Sequence, residues 1–179
     1  MALARALVAP VKVTCVTRLE TKRLKLVLKT LEEVHATLEA MTPTQKKEVS
    51  PLWLARLDGA TTPDPWIHGF SFVRRDNEVV IGQGGFKGPP TDEGVVEIAY
   101  GVSPDHQGKG YATEAAEALT AFAFQNGRVR VVCAHTLREA KASARVLTKC
   151  GFRYIGEVID PEDGLVWRWE KHSAAQPQL

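Results

Sequence analysis

Residues 94–112 read GVVEIAYGVSPDHQGKGYA, and this stretch decides the fold. Its first half, up to Val102, is rich in valine and isoleucine and predicts a buried strand. Gly108 and Gly110 follow in a short turn, and small apolar residues then recur at helical spacing. Glycine accepts positive φ and lets backbone N–H groups approach a ligand, and a helix N-terminus favours an anion. The stretch therefore predicts a strand, a turn and a helix that either bind a phosphate beside Lys109 or form a tight connection.

The flanking sequence predicts an α/β domain. Apolar and polar residues alternate with the periods of a strand, two helices, three strands, a helix, a strand, a helix and two strands, in that order. Thr30 precedes Glu33 by three residues, which is the capping-box spacing for the first helix. Thr44 is the predicted cap of the second helix, and Pro51 is predicted to kink or break it. A mixed sheet follows from this order of elements.

Length and composition favour one domain. The chain has 179 residues and a formal net charge of +2, which gives no electrostatic footprint for nucleic acid. It contains no run of about 18 apolar residues, the length that a membrane-spanning helix needs. We expect a flexible arm at 1–16, one domain at 17–172 and a flexible tail at 173–179. These features predict a cytoplasmic protein that binds neither nucleic acid nor membrane.

The three cysteines indicate neither a disulfide framework nor a metal site. Cys15, Cys133 and Cys150 are widely spaced, and no CxxC pair is present. Cys133 and Cys150 stand in apolar surroundings, which favours unreactive core thiols over nucleophiles of a ping-pong reaction. We therefore expect reduced thiols and no metal.

Several motifs resemble the GNAT acyltransferase superfamily. Residues 107–112 (QGKGYA) match the family signature Gln/Arg-x-x-Gly-x-Gly/Ala at its fixed positions. Residues 95–102 resemble the family's central strand, and residues 145–152 resemble its last helix, which ends in Gly-Phe. The predicted strand order agrees with the family from Leu24 to Trp169. The resemblance is closest to the branch that includes the ribosomal-protein N-terminal acetyltransferases.

The resemblance implies a GNAT fold, with a mixed, mostly antiparallel, splayed sheet of six to seven strands and about four flanking helices. It implies an N-acetyltransferase that moves the acetyl group of acetyl-CoA to a primary amine by direct attack in a ternary complex, without metal. The acceptor is either a protein N-terminus or a small-molecule amine, with residues 31–68 and 160–164 expected to line its site. The protein is expected to be a monomer or a homodimer. The alternative is a non-catalytic acyl-CoA-binding sensor or structural module.

The resemblance also assigns residues to the acetyl-CoA site. The pantetheine arm is expected to add to the central strand, with the backbone of Tyr100 and Val102 bonding its amides. The backbone amides of the turn are expected to hold the pyrophosphate, and they belong to Gln107, Gly108, Lys109, Gly110, Tyr111 and Ala112.

Glu97 is the candidate general base, because an amine must lose a proton before it attacks the thioester. It is the one acid inside the central apolar strand, and burial there is expected to raise its pKa. In several similar enzymes a carboxylate at this position is the base. The alternative is a structural carboxylate paired with Arg130 or His135 on a neighbouring strand.

Ser143 is the candidate hydrogen-bond donor to the leaving sulfur, because it aligns with a serine that serves in the ribosomal-protein branch. The alternative is a small residue that lets the cofactor approach closely. Many relatives place a tyrosine donor where this chain has Leu147. The chain also departs from its relatives at Ala140, where an asparagine usually bonds the pantetheine arm or caps the last helix.

Overall fold

The computed structural model describes residues 18–47, 49–161 and 163–174. The predicted arm at 1–16 lies outside the described residues, as does the predicted tail beyond residue 174. The described beginning of that tail is bound to the domain, since the Ser173 backbone N–H donates to the Arg130 carbonyl at 2.9 Å. No helix in these ranges combines the length and apolar content needed to cross a bilayer.

The described residues form eight strands and five α-helices. The strands are β1 (Arg18–Glu20), β2 (Leu24–Leu28), β3 (Phe70–Arg74), β4 (Val80–Phe86), β5 (Val95–Val102), β6 (Val131–Thr136), β7 (Arg153–Asp160) and β8 (Gly164–His172). The helices are α1 (Leu31–Ala40), α2 (Pro43–Lys47), α3 (Pro51–Asp58), α4 (Tyr111–Gln125) and α5 (Lys141–Lys149). The predicted α/β class is confirmed. The predicted order of elements is confirmed from β3 onward, and before it the structure has one additional strand and one additional helix.

All eight strands lie in one sheet, in the order β1-β2-β3-β4-β5-β6-β8-β7. Every neighbouring pair is antiparallel except β5 and β6, which run parallel. The sheet has one strand more than the upper count that we expected. The additional strand is β1, whose three residues Arg-Leu-Glu are too few and too polar to show strand periodicity.

The sheet opens between β5 and β6. Their pairing covers three positions, from Val95 opposite Val131 to Glu97 opposite Cys133, although β5 continues to Val102. On its other side β5 stays paired with β4 up to Val102. The carboxyl-terminal half of β5 therefore borders a gap rather than a neighbouring strand, which is the predicted splay.

Helix α4 packs on one face of the sheet and fixes the position of β5. Ala115, Ala116 and Leu119 are fully buried, and they belong to one core cluster with Val96 and Ile98 of β5. Small side chains on the helix allow close approach to the strand. Because side chains alternate along a strand, Glu97 faces the opposite side of the sheet from Val96 and Ile98.

The helix boundaries follow from their caps, with one correction. Thr30 and Glu33 form the predicted capping box at the start of α1. The second predicted helix is two helices, because Pro51 occupies the first turn of α3 and Ser50 caps it. Thr44 is not a cap and lies inside α2. A proline that was expected to interrupt a helix instead begins one, since its missing N–H costs nothing in the first turn.

Candidate active site

The turn between β5 and α4 presents backbone amides in a row. Gly108 and Gly110 have φ of 72° and 81°, a left-handed conformation that glycine adopts without strain. The first amide of α4 with a partner in the helix is that of Glu114, which donates to the Gly110 carbonyl at 3.1 Å. The amides of residues 111–113 are thus the orphan donors of the helix N-terminus. Their arrangement suits an anion such as a pyrophosphate.

Hydrogen bonds from three side chains brace this turn. Gln107 Nε2 donates to the Val102 carbonyl at 2.9 Å, which closes the turn onto the end of β5. Lys109 Nζ donates to the Asp105 carbonyl at 2.9 Å, and Arg23 Nη1 donates to the Lys109 carbonyl at 2.9 Å. The side chains of Gln107 and Lys109 therefore shape the turn. The Gln107 backbone N–H also bonds within it, to the Pro104 carbonyl at 3.2 Å, so it is not available to a ligand, and the amides from residue 108 onward remain as the ligand groups.

Arg23 belongs to this region although no local motif points to it. Its backbone N–H and its Nε donate to the Glu114 carboxylate at 2.6 and 2.8 Å. The Thr21 hydroxyl donates to the same carboxylate at 2.5 Å. Burial raises the pKa of Glu114, but the bonds from Thr21 and Arg23 outweigh it and hold the pKa below its ordinary value. The turn between β1 and β2 thereby clamps the start of α4.

A cavity of about 310 Å³ lies between the end of β5, the turn, the start of α4, and α5. Most of the predicted cofactor residues line it, and so does Ser143 of α5. Lys109 does not line it, because its side chain folds back onto the turn. The predicted residues in its wall are Tyr100, Val102, Gln107, Gly108, Gly110, Tyr111, Ala112 and Ser143.

The backbone of β5 offers hydrogen-bonding groups to the gap. Hydrogen bonds at both ends of the β4–β5 pairing show which residues of β5 bond to β4. The Lys87 N–H donates to the Glu97 carbonyl at 3.0 Å, and the Ser103 N–H donates to the Ile81 carbonyl at 2.8 Å. Because antiparallel strands bond through alternate residues, Tyr100 and Val102 direct their N–H and C=O groups away from β4. No described strand pairs with them there. A secondary amide chain laid in the gap could bond to these groups.

A second cavity, of about 390 Å³, lies among β3, β4, β5 and the helices α1 and α3, with Lys29 from the segment after β2 in its wall. Tyr100 and Gly101 line both cavities, so the two meet at β5. Residues of the predicted acceptor region 31–68 form much of its wall. The 160–164 hairpin does not line it.

Glu97 lies in a network of charged side chains. Its Oε1 is 3.0 Å from Lys87 Nζ and 3.0 Å from His135 Nδ1. Burial raises the pKa of Glu97, but the hydrogen bond with His135 and the charge of Lys87 outweigh it, so the pKa lies below its ordinary value. The expectation of a raised pKa is therefore wrong, because it considered burial alone and not the stabilisation of the carboxylate by His135 and Lys87. Of the two predicted structural partners, His135 is present, and Lys87 takes the place expected for Arg130.

The same network contains three potential metal ligands. Single ligand atoms of Glu97, His135 and Asp160 all lie within 4.8 Å of one another. Lys87 Nζ is 3.0 Å from Glu97 and 4.0 Å from Asp160. Burial lowers the pKa of Lys87, but the charges of Glu97 and Asp160 outweigh burial and raise the pKa above its ordinary value. Lys87 therefore remains an ammonium. A side-chain cation therefore already offsets the charge of the two carboxylates.

The remaining candidates are resolved by burial. Leu147 is fully buried in the core, so α5 presents no proton donor at that position. Burial raises the pKa of Cys133 to about 12 and that of Cys150 to about 11. Both thiols stay protonated at neutral pH, which disfavours them as nucleophiles.

The sequence pattern of the acetyltransferase (GNAT) domain family matches residues 20–153 of this chain. The chain belongs to the GNAT family. The match covers the clamp at Thr21–Arg23, the gap beside β5, the turn and α5. The resemblance inferred from QGKGYA is thereby confirmed, together with the GNAT fold class.

Comparison with curated proteins gives an uncharacterized N-acetyltransferase, YjdG of Bacillus subtilis, at 32% identity over 99 residues. That match covers 55% of this chain and 56% of YjdG, so the chain spans about half the length of the curated relative.

Solved structures share the fold over nearly their whole length. The ribosomal L7/L12 α-N-protein acetyltransferase RimL in complex with coenzyme A has a TM-score of 0.66 at 15% identity, covering 89% of this chain and 99% of RimL. The aminoglycoside acetyltransferase AAC(6′)-Ib in complex with coenzyme A has a TM-score of 0.59 at 20% identity, covering 83% and 94%. At these identities the likeness is one of fold, and the two proteins act on different kinds of acceptor.

Proposed function

We propose that the protein is an acetyl-CoA-dependent N-acetyltransferase that acts on a primary amine by direct attack in a ternary complex. The observation that carries this proposal is the meeting of two cavities at Tyr100 and Gly101. One cavity has the amide-rich turn at its end, and the other approaches the same strand from the side of α1 and α3. Two substrates bound in these cavities would meet across β5, as a direct transfer requires.

The chain's groups fit the chemistry of acetyl-CoA. The orphan amides of residues 111–113 suit its pyrophosphate. The backbone N–H and C=O groups of Tyr100 and the N–H of Val102 suit the amides of its pantetheine arm, whereas the Val102 carbonyl already accepts from Gln107 Nε2. The bound thioester supplies the activated acetyl group. GNAT membership and the coenzyme A complexes of RimL and AAC(6′)-Ib support the same donor.

Glu97 and His135 are the proposed proton-accepting pair for the amine. The carboxylate is ionised at neutral pH because its pKa is lowered, and its bond to Nδ1 at 3.0 Å orients the imidazole. Neither residue lines either cavity, and His135 Nε2 is buried, so the proton lost by the amine reaches the pair through water at the partly exposed Glu97 carboxylate. A carboxylate with a lowered pKa is a weak base alone, and its contribution here is to stabilise positive charge on the imidazole.

Ser143 is the proposed hydrogen-bond donor to the departing thiolate. It lies in the first turn of α5 and lines the cofactor cavity. A hydroxyl can donate to sulfur without ionising, so no shifted pKa is required. The two core cysteines are buried and protonated, which supports direct transfer rather than an acetylated enzyme intermediate.

The decisive experiment measures release of coenzyme A thiol with a panel of peptides, amino acids, polyamines and aminoglycosides, and identifies the acetylated product by mass spectrometry. Calorimetry with acetyl-CoA on the same protein measures binding. Release that depends on an added amine supports the enzyme. Tight binding without acceptor-dependent release across the panel would instead favour the sensor or structural module. Acetylation of the protein itself at Cys133 or Cys150 would contradict direct attack.

A further inference from the structure

The described part of the second cavity's wall contains a positively charged side chain and no negatively charged one. Among the described residues that line it, none is an aspartate or glutamate, and Lys29 is the one with a full positive charge. An ammonium-rich ligand entering this cavity would meet a like charge and no compensating carboxylate. The cavity is therefore poorly suited to a polycation.

Lys29 is available for a ligand. Its Nζ donates to Gln83 Oε1 at 2.5 Å, which occupies one of its three protons. No carboxylate of the described residues forms an ion pair with it. The Glu33 carboxylate accepts from the Thr30 backbone N–H, and its charge only partly offsets the lowering of the Lys29 pKa by burial. Lys29 is half-buried, where an ammonium gains most from a negative partner.

The rest of the wall is largely apolar. Trp53 contributes its ring without a free polar atom, because its Nε1 donates to the Ile67 carbonyl at 2.8 Å. Such a surface suits an apolar or aromatic side chain of a ligand. The other large apolar residues of the wall are Val34, Leu38, Met41, Ile67, Phe70 and Phe86.

Lys29 is anchored close to the place where the cavities meet. Its hydrogen-bond partner Gln83 lies directly opposite Gly101 in the pairing of β4 with β5, and Gly101 lines both cavities. Lys29, Gln83 and Gly101 all line the second cavity. A ligand in this cavity can therefore direct its amine towards Gly101 and its carboxylate towards Lys29.

We infer that the acceptor is a free α-amino acid with an apolar side chain, whose carboxylate is bound by the Lys29 ammonium. This inference rests on the proposed acetyl transfer and narrows its acceptor. The reaction forms the amide bond between the neutral α-nitrogen and the acetyl carbon and breaks the thioester bond. The proton that the nitrogen loses passes through water to the Glu97–His135 pair, and a proton from water is returned to the departing thiolate. The products are an N-acetylamino acid and coenzyme A thiol.

The test compares free apolar L-amino acids with their carboxamides as acceptors, in wild type and in Lys29→Met. In each protein, kcat/KM is measured for the acid and for the amide, and the first value is divided by the second. The amines of the two acceptors differ in basicity, but this difference is the same in both proteins and cancels when wild type and variant are compared. We expect Lys29→Met to lower the acid-over-amide ratio at least about tenfold, equivalent to about 1.4 kcal/mol. Lys29→Arg, which keeps the charge, should retain most of the preference.

Lys25→Met is the matched control, since Lys25 lies on β2, the strand that precedes Lys29, pairs with Glu78 at 2.6 Å and does not line the cavity. It should leave the ratio unchanged, and unchanged acetyl-CoA affinity shows that each variant is folded. An unchanged ratio in folded Lys29→Met, or wild-type preference for carboxamides, N-terminal peptides or polyamines, would overturn the inference and leave the acetyltransferase standing. Absence of turnover with every amine would overturn the proposed function itself.

Discussion

Glu97 lies at the last position at which β5 pairs with β6, where the sheet begins to open. Its carboxylate bonds Lys87 of the segment after β4 and His135 of β6, so it joins the two halves of the opened sheet. Its exposed fraction is 19%, low enough for these contacts to matter and high enough for water to reach it. One carboxylate can therefore contribute to both stability and proton transfer.

Glu97→Gln should separate these two contributions. The amide keeps the shape of the side chain but cannot hold positive charge on His135, so we expect turnover to fall by roughly 10²–10⁴. Affinity for acetyl-CoA should change little, because Glu97 does not line the cofactor cavity. Steady-state kinetics and calorimetry measure the two quantities. Glu117→Gln, at an exposed site on α4, is the control, and parallel losses of stability and binding in Glu97→Gln would indicate a purely structural role.

The lowered pKa of Glu97 also predicts how stability depends on pH. The folded state favours the ionised form, so the carboxylate stabilises the fold above its ordinary pKa of 4.5, and this contribution is lost as the pH falls through the lower folded value. The difference in unfolding free energy between wild type and Glu97→Gln should therefore be largest near neutrality and shrink below about pH 4.5. Urea titrations at several pH values measure it. A difference that grows on acidification would contradict the assigned direction.

For individual site residues, the sequence identified the residues themselves better than the side chains that contact them. Glu97 stood out as an acid in an apolar strand, and QGKGYA located the turn, because both signals are local. Lys87 and Arg23 were missed because their roles depend on pairing across 10 residues of strand register and across 91 residues of chain, respectively. The pKa direction of Glu97 failed for the same reason.

Among the elements, the junction of the turn with α4 depends on backbone conformation more than on side chains. Gly110 has φ of 81°, and a Cβ there would stand 3.3 Å from Arg23 Nη2. Gly110→Asp adds that Cβ, backbone strain and a negative charge beside the anion site. We expect acetyl-CoA affinity to fall by more than tenfold, measured by calorimetry.

Asp105→Asn, in the preceding turn, provides a comparison that alters charge without requiring positive φ. Unchanged affinity in Gly110→Asp would contradict the assignment of the pyrophosphate to this turn. A loss confined to Gly110→Asp would support it.

The start of α5 lacks a side-chain cap. Ala140 is the N-cap residue and makes no capping hydrogen bond, as its methyl group dictates. Ala140→Asn should supply an acceptor to the first-turn amides and stabilise the protein by about 1 kcal/mol. For a chain of this size that corresponds to about 2–4 °C in Tm, measurable by calorimetric melting. Ala140→Leu, which adds bulk but no acceptor, should not raise Tm, and equal gains in both variants would exclude capping as the cause.

Element order and most boundaries could be predicted because hydrophobic periodicity and caps are local properties. Thr30 with Glu33 predicted α1 correctly, and the strong apolar run predicted β5. β1 was missed because three residues carry no periodic signal, and α2 and α3 were fused because Pro51 is compatible with either a break or a start. The opening of the sheet came from the family resemblance and not from periodicity.

At the scale of the whole molecule, the described residues contain a continuous core from β2 to β8. A protein trimmed to residues 17–174 should therefore melt close to the full chain, as expected for dispensable termini. Residue 174 rather than 172 is the chosen end because Ser173 bonds to Arg130. Differential scanning calorimetry measures both proteins.

A second trimmed protein, residues 21–174, tests the sensitivity of that measurement. It removes β1, which pairs with β2, and with it the contact between Glu20 and Arg75. We expect a lower Tm for this protein. A large drop already in the 17–174 protein would show that the removed termini stabilise the domain.

The gap beside β5 gives the molecule a vulnerability as well as a binding site. Unpaired N–H and C=O groups in extended backbone can form strand pairing with another extended peptide, including a partly unfolded copy of the same chain. Such pairing promotes aggregation. A ligand in the gap covers this template and, at a hundredfold excess over its Kd, stabilises the native state by about 2.7 kcal/mol. If acetyl-CoA occupies the gap, as the proposed function requires, we expect the protein to aggregate more slowly in its presence than in its absence.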